Sequence, residues 1–385
     1  MKIETLLAQA GSRWDETTGA ISMPIYQTVT FRHPGLGMST GYDYSRTVNP
    51  TRQVLEDTMA KLEGGCKAFA FSSGMAAIDC IAHLFKTGDA VAVTEDPYGG
   101  TVRLFDKVYS NFGIKPLYID TSDLEAVKKC LSEGVKAIFI ESPTNPMLKI
   151  ADIRAIVQLA RDHGALTIVD NTFNTPLIQR PLELGADIVV YSATKYLSGH
   201  NDVLAGIAVA KDPGLCEKLS FFQNAIGAVL SPQDSWLVLR GLKTLSVRMP
   251  KQQANAYAIA HWLNANSRVK RVYYPGMLKS NRHRLYGKQF FGPGAIVSFE
   301  VDDQAVVPEL LSRVRVFIFA ESLGGVESLI TFPALQTHND IPEETRERLG
   351  INDRLLRLSI GIEHLKDLIT DLDDAFSGAG IRGGP

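Results

Sequence analysis

The sequence predicts an α/β protein. A larger domain built on a mainly parallel sheet follows an extended N-terminal arm and precedes a smaller α+β domain. Three observations predict this. From about residue 65 to 215, short apolar runs alternate with helical patterns of about 10–15 residues, as in a parallel sheet covered by helices. The first 60 residues are instead crowded with turn formers, among them His33-Pro34-Gly35, Gly41 and Asn49-Pro50. Beyond Leu215 the alternation gives way to long amphipathic helices and scattered strands. The divisions are set at 1–45 for the arm, 46–235 for the α/β domain and 236–385 for the α+β domain.

Taken in order, Ser72-Ser73-Gly74-Met75 opens a helix over Ala76 to Phe85, and Ala90 to Thr94 reads as a buried strand. Thr101 to Phe112 is helical, Ile114 to Ile119 a strand and Asp123 to Leu131 a helix. Strand Lys136 to Ile140, helix Asp152 to His163 and strand Leu166 to Asp170 repeat the pattern. Ile188 to Tyr191 and Leu204 to Ala210 are two more short strands. Asp234 to Leu245 and Lys251 to Ala265 read as two long helices, with a turn at Pro275-Gly276. Strands at Ala295 to Val301, Phe317 to Phe319 and Leu355 to Ile360 and a helix over Leu365 to Phe376 close the chain.

A length of 385 residues suits two or three domains at roughly 150 residues each. With 45% hydrophobic and 21% charged residues, the chain is neither disordered nor a disulfide scaffold. The formal charge of −2 gives no general attraction to nucleic acid or an anionic membrane. No apolar window of about 18 residues suggests a membrane span, and no secretory leader is read at the start, so a cytoplasmic protein is expected. The four cysteines lack CxxC spacing and read as buried apolar residues. No His/Cys/Asp/Glu cluster has metal-ligand spacing. His200 and His338 read as packed or solvated, and His261 as a surface residue.

Four features fall at element ends in the α/β region, where such sheets bind ligands. Asp170 ends an apolar strand; alone it reads as a cap or turn acid. Lys195 follows a strand amid the hydroxyls of Ser192, Thr194 and Ser198. A partly desolvated amine there can form a Schiff base, although an exposed lysine on a hydroxyl-rich loop has the same look. Ser72-Ser73-Gly74-Met75 offers helix N-terminal amides to an anion, or a plain cap. Tyr98, before Gly99-Gly100, can stack on a flat ligand or lie on the surface. Together the four match one ligand with an aldehyde, a ring nitrogen, a phosphate and a flat ring: pyridoxal phosphate.

Over Ile25 to Phe376 the chain also resembles the Cys/Met-metabolism group of fold-type I pyridoxal phosphate enzymes. The motifs are Asp43-Tyr44-Ser45-Arg46, Asn49-Pro50-Thr51-Arg52, Phe71-Ser72-Ser73-Gly74-Met75 and Tyr98-Gly99-Gly100-Thr101. They continue with Glu141-Ser142-Pro143-Thr144-Asn145-Pro146, Asp170-Asn171-Thr172-Phe173, Ser192-Ala193-Thr194-Lys195-Tyr196, Glu321-Ser322-Leu323-Gly324-Gly325 and Arg357-Leu358-Ser359. The resemblance implies that Lys195 carries the cofactor and acts as the base, and that Asp170 pairs with the ring nitrogen. It implies that Ser73, Gly74, Met75, Ser192 and Thr194 hold the phosphate. Tyr98 would stack on the ring and assist proton transfer, and Asn145 would sit near the ring hydroxyl. Arg357 would clamp the substrate carboxylate, and Ser322 would help orient Lys195 and the substrate. Glu321 would attract the amino group of a second substrate or product, or else be a surface or turn acid. Tyr44 and Arg46 would complete the site of a neighbouring subunit in a homotetramer.

Within that group the resemblance is strongest to enzymes that exchange the γ-substituent of an O-acylhomoserine for cysteine, with use of sulfide as a second activity. Cystathionine γ- or β-lyase is the alternative. Gly100 stands where methionine γ-lyases have a reactive cysteine, which argues against that activity. An aminotransferase on the same fold, or a cofactor-binding protein without catalysis, fits the Tyr44–Arg46 motif, Tyr98 and Arg357 less well.

Overall fold

The computed structural model describes residues 1–12, 14–277, 285, 287–339 and 341–378. The larger sheet consists of β1 (Lys67–Phe71), β2 (Ala90–Thr94), β3 (Lys115–Ile119), β4 (Ala137–Glu141), β5 (Leu166–Asp170), β6 (Ile188–Ser192) and β7 (Gly206–Ala210). Their order is β1-β7-β6-β5-β4-β2-β3. Only β7 runs against its neighbours, so the sheet is mainly parallel.

The strands read as unbroken apolar runs because both sheet faces are covered. Val91, Val93, Phe139, Ile168 and Val190 pack under the helices Gly74–Ala82, Gly99–Lys107 and Pro213–Ile226. Ala92, Ile138, Ile140, Val169 and Val189 face the helices Pro50–Glu63, Leu124–Ser132 and Ile153–Asp162. Helix starts are set by side chains. Ser73, Asp123 and Asp152 each accept a backbone N–H of the first turn.

The smaller sheet holds β8 (Val269–Tyr273), β9 (Ile296–Val301), β10 (Ile318–Phe319), β11 (Leu329–Thr331) and β12 (Leu355–Ser359), in the order β10-β11-β12-β9-β8. Arg357 sits mid-strand on β12, between Thr331 of β11 and Ser298 of β9.

Several expectations need correction. The two long helices are one, Pro232–Ala265, with Pro250 inside it. An interior proline costs about 3 kcal/mol. The buried stripe Leu242, Leu245, Met249, Ala256, Ile259 and Leu263 runs past it on both sides and offsets that cost. The expected division at 235/236 falls in the first turn of this helix. The residues of the expected last segment beyond 378, and others noted above, lie outside the described residues.

The segment assigned as an extended arm contains the helix Ile3–Ala8, whose Leu7 is fully buried. Helix Pro50–Glu63 was read as turn-rich chain. Asn49 caps it, accepting from the Thr51 and Arg52 amides, and Pro50 opens it, so Asn-Pro here starts a helix. Residues 99–112 form a helix over Gly99–Lys107 and a separate 3-10 turn over Tyr109–Phe112. Cys80, Cys130 and Cys216 are buried, whereas Cys66 is exposed, because it lies in the connection between helix Pro50–Glu63 and β1.

Candidate active site

The carboxyl edge of the parallel strands gathers the chemistry. Glu141, Asp170 and Ser192 end the adjacent strands β4, β5 and β6, and Lys195 follows three residues after Ser192. They line a cavity of about 380 Å³, large enough for a small-molecule cofactor or substrate. Ser73, Gly74, Met75, Tyr98, Asn145, Thr194, Glu321, Ser322 and Arg357 line the same cavity. Twelve of the fourteen expected site residues therefore meet in one place.

Lys195 Nζ donates to Ser322 Oγ at 2.8 Å. Burial, and then the Arg357 charge, push this amine down to about 8, against the opposing pull of Glu321. Asp170 Oδ1 accepts the Thr172 amide at 2.9 Å. Burial raises Asp170 above the usual carboxylate range, and hydrogen bonds from Thr172 oppose the rise.

At the other end of the cavity, helix Gly74–Ala82 presents its N-terminus. The Ser73 hydroxyl caps it by accepting from Ala76 at 3.1 Å, which leaves the first amides, at Gly74 and Met75, without intrahelical acceptors. The helix start is pressed onto the sheet edge. A Cβ on Gly74 would lie 3.0 Å from Ser192 Cβ, and one on Gly206 would lie 2.0 Å from the Ser73 carbonyl oxygen. The Thr194 hydroxyl accepts the Ala205 amide at 3.0 Å.

Arg357 is 1% exposed and reaches the cavity from the smaller sheet. It donates to Asn145 Oδ1 at 2.8 Å, to the Ser322 carbonyl at 2.9 Å and to Thr331 Oγ1 at 3.2 Å, while its Nε has no partner. Asn145 is held from behind by His338, which is fully buried and whose Nε2 lies 2.9 Å from the Asn145 carbonyl. Burial pushes His338 down to about 4, so the ring is neutral.

A model of the Cys/Met metabolism PLP-dependent enzyme family matches residues 4–377. The chain belongs to this family. It is 52% identical to the cystathionine gamma-synthase/O-acetylhomoserine (thiol)-lyase of Bacillus subtilis, over 97% of this chain and 96% of that protein. It is 50% identical to a cystathionine beta-lyase of Lactococcus lactis subsp. cremoris, over 97% and 98%. Among solved structures, the cystathionine gamma-lyase of Lactobacillus plantarum superposes with a TM-score of 0.96 at 46% identity, covering 98% of this chain and 99% of that one.

Members of the Cys/Met metabolism family depend on pyridoxal phosphate, and the cavity fits that group. An amine pushed down to about 8 shares the cavity with the Asp170 carboxyl. The helix N-terminus and the Ser192 hydroxyl suit a phosphate. Tyr98 lines the cavity as well, and a Cβ on Gly100 would lie 2.5 Å from its ring.

Tyr44 and Arg46 do not line the cavity of their own chain. They lie on the exposed arm, where Arg46 donates to Asn224 and its guanidinium stands 5.6 Å from the Tyr44 ring centroid.

The sequence assigned no role to Glu141 or Thr172, although both stand in motifs of the family. Both line the cavity. The signal for Glu141 was its place as the charged last residue of an apolar strand, the same signal that marked Asp170. No helix of the described residues is long and apolar enough to cross a membrane.

Proposed function

We propose that the protein catalyses γ-replacement: an O-acylhomoserine and L-cysteine give cystathionine and the free acid. The supporting observation is the position of Glu321. It lies at the mouth of the cavity, where this opens into a recess also lined by Asp202 and Asp234. A negative mouth attracts the ammonium of a second amino acid, which a replacement reaction must bind.

Arg357 binds the α-carboxylate of the first substrate, for which its fork is shaped. Bound pyridoxal phosphate supplies the electron sink for the α-carbon. Asp170 would face its ring nitrogen, and the Gly74 and Met75 amides with Ser192 and Thr194 would hold its phosphate. At about 8, roughly a tenth of the Lys195 amine is neutral at pH 7 and ready to accept a proton. Lys195 takes the α-proton, then a β-proton, while Ser322 orients it and Tyr98 guards the opposite side. The acyl group leaves from the γ-carbon as a carboxylate, the cysteine thiolate adds there, and the β- and α-carbons take their protons back from the Lys195 amine to release cystathionine. Tyr44 and Arg46 complete the phosphate site of a neighbouring subunit in a homotetramer.

Cleavage of cystathionine is the second reading. It is favoured by the near-equal identity to named synthase and lyase relatives, and the same acidic mouth would receive the distal ammonium of cystathionine. The test is to supply O-acetyl- or O-succinylhomoserine, each with and without cysteine. Cystathionine formed only with cysteine is expected. Faster release of pyruvate or 2-oxobutanoate from cystathionine, with little synthesis, would replace the first reading by the second.

A further inference from the structure

Three carboxylates stand side by side at the carboxyl edge of the larger sheet. Asp96 lies just past β2, Glu141 ends β4 and Asp170 ends β5, and these strands are neighbours. Glu141 and Asp170 are direct register partners, so their side chains leave the same face. Asp96 and Glu141 are 0% and 5% exposed. Burial of so many like charges is costly unless some hold protons.

Their surroundings differ. Asp170 has the Thr172 amide. Asp96 accepts the Thr144 hydroxyl at 2.6 Å, and burial pushes it up to about 7 against the opposing charge of Lys149 at the rim. Lys149 and Arg348 form their ion pairs with Glu95 and Asp120, not with Glu141. Glu141 Oε2 accepts the Tyr98 amide at 2.8 Å, and the Asn145 amide also bonds to the carboxyl. Arg357 attracts its anion, but the guanidinium bonds formed by Nη1 and Nη2 go to Asn145, Ser322 and Thr331 rather than to Glu141.

We propose that Glu141 is a positioning residue that works as a neutral carboxylic acid, anchoring the Tyr98 backbone to the end of β4 and leaving the negative charge facing the cofactor to Asp170. Burial and the charges of Asp170 and Asp96 all raise Glu141 well above the ordinary carboxylate range, while the Tyr98 and Asn145 amides oppose them. The acid thereby sets two groups at once. It fixes the loop that carries the Tyr98 ring, and it spares Asp170 a charged neighbour. The inference rests on the proposed roles of Asp170 and Tyr98.

The test compares holoenzymes of wild type, E141Q and E141A. An infrared difference spectrum of wild type against E141Q is expected to contain the carbonyl band of a protonated acid. E141Q mimics that acid, so the pH midpoint of the visible cofactor band is expected to move by less than about half a unit. E141Q is expected to cost at most about threefold in kcat/KM, and E141A about tenfold or more, chiefly in kcat. Absence of the acid band, a midpoint lowered by about one unit or more in E141Q, or losses in E141Q equal to those in E141A would overturn the proposal. The infrared band decides the protonation state even if E141A does not fold. Failure of wild type itself to take up pyridoxal phosphate in a Lys195-dependent way would instead strike the reading of the site.

Discussion

Lys195 Nζ and Ser322 Oγ are joined by a 2.8 Å hydrogen bond that links the two sheets across the cavity. Lys195 follows β6 of the larger sheet, and Ser322 lies between β10 and β11 of the smaller one. Ser322 holds its hydroxyl there with φ at +106°, a conformation that L side chains rarely adopt.

That backbone cost, on the order of 1–3 kcal/mol, separates two variants. S322A and S322G both remove the bond to Lys195 and are expected to slow kcat by about tenfold. S322G alone relieves the strain, so its melting temperature should exceed that of S322A. The opposite order in a thermal melt would show that Ser322 is not strained.

Arg357 makes two short bonds from its fork, to Asn145 and to the Ser322 carbonyl. R357K keeps the charge and loses the fork. KM for the amino-acid substrate is expected to rise by roughly 10- to 100-fold, with little change in cofactor retention. Steady-state kinetics beside a cofactor titration checks this, and an unchanged KM would remove Arg357 from substrate binding.

His338 gives a pH signature. Its folded value of about 4 lies below the ordinary 6.5, so the unfolded chain binds the extra proton first. Its contribution is present in full above 6.5 and is lost as pH falls toward about 4, a difference of about 3 kcal/mol. H338N should flatten the fall in urea midpoint across that window. Equal slopes in both proteins would mean that another group governs acid sensitivity.

Gly206 tests the anion cradle. A Cβ there would lie 2.0 Å from the Ser73 carbonyl oxygen and must push back the helix start. G206A is expected to weaken pyridoxal phosphate binding by about tenfold, about 1.4 kcal/mol. Equilibrium dialysis measures it. Undiminished affinity would place the phosphate elsewhere.

The parallel sheet and its site were largely legible in the sequence, because Asp170, Lys195 and Ser73-Gly74-Met75 fall at element ends, where local pattern and chemistry coincide. What escaped depends on tertiary contact. β8 is half exposed and β11 is three residues long, so neither carries a clear apolar period. Helix Pro50–Glu63 was hidden by an Asn-Pro start that also marks turns. The continuity of helix Pro232–Ala265 through Pro250 depends on the burial of residues on either side, which a local stop signal does not register. His338 has no motif of its own. Its place behind Asn145 follows from folding together residues 193 positions apart.

Helix Pro232–Ala265 ties the two sides of the cavity to one element. At 34 residues it is a rod of about 50 Å. It passes so close to the segment after Lys195 that a Cβ on Gly241 would lie 2.2 Å from the Ser198 oxygen. Farther along, Gln252 Nε2 donates to the Gly325 carbonyl at 2.7 Å, near Ser322. The amine and the loop facing it are thus bolted to one keel. One rod carries both partners of the Lys195–Ser322 bond, touching the chain beside each at a separate point along its length.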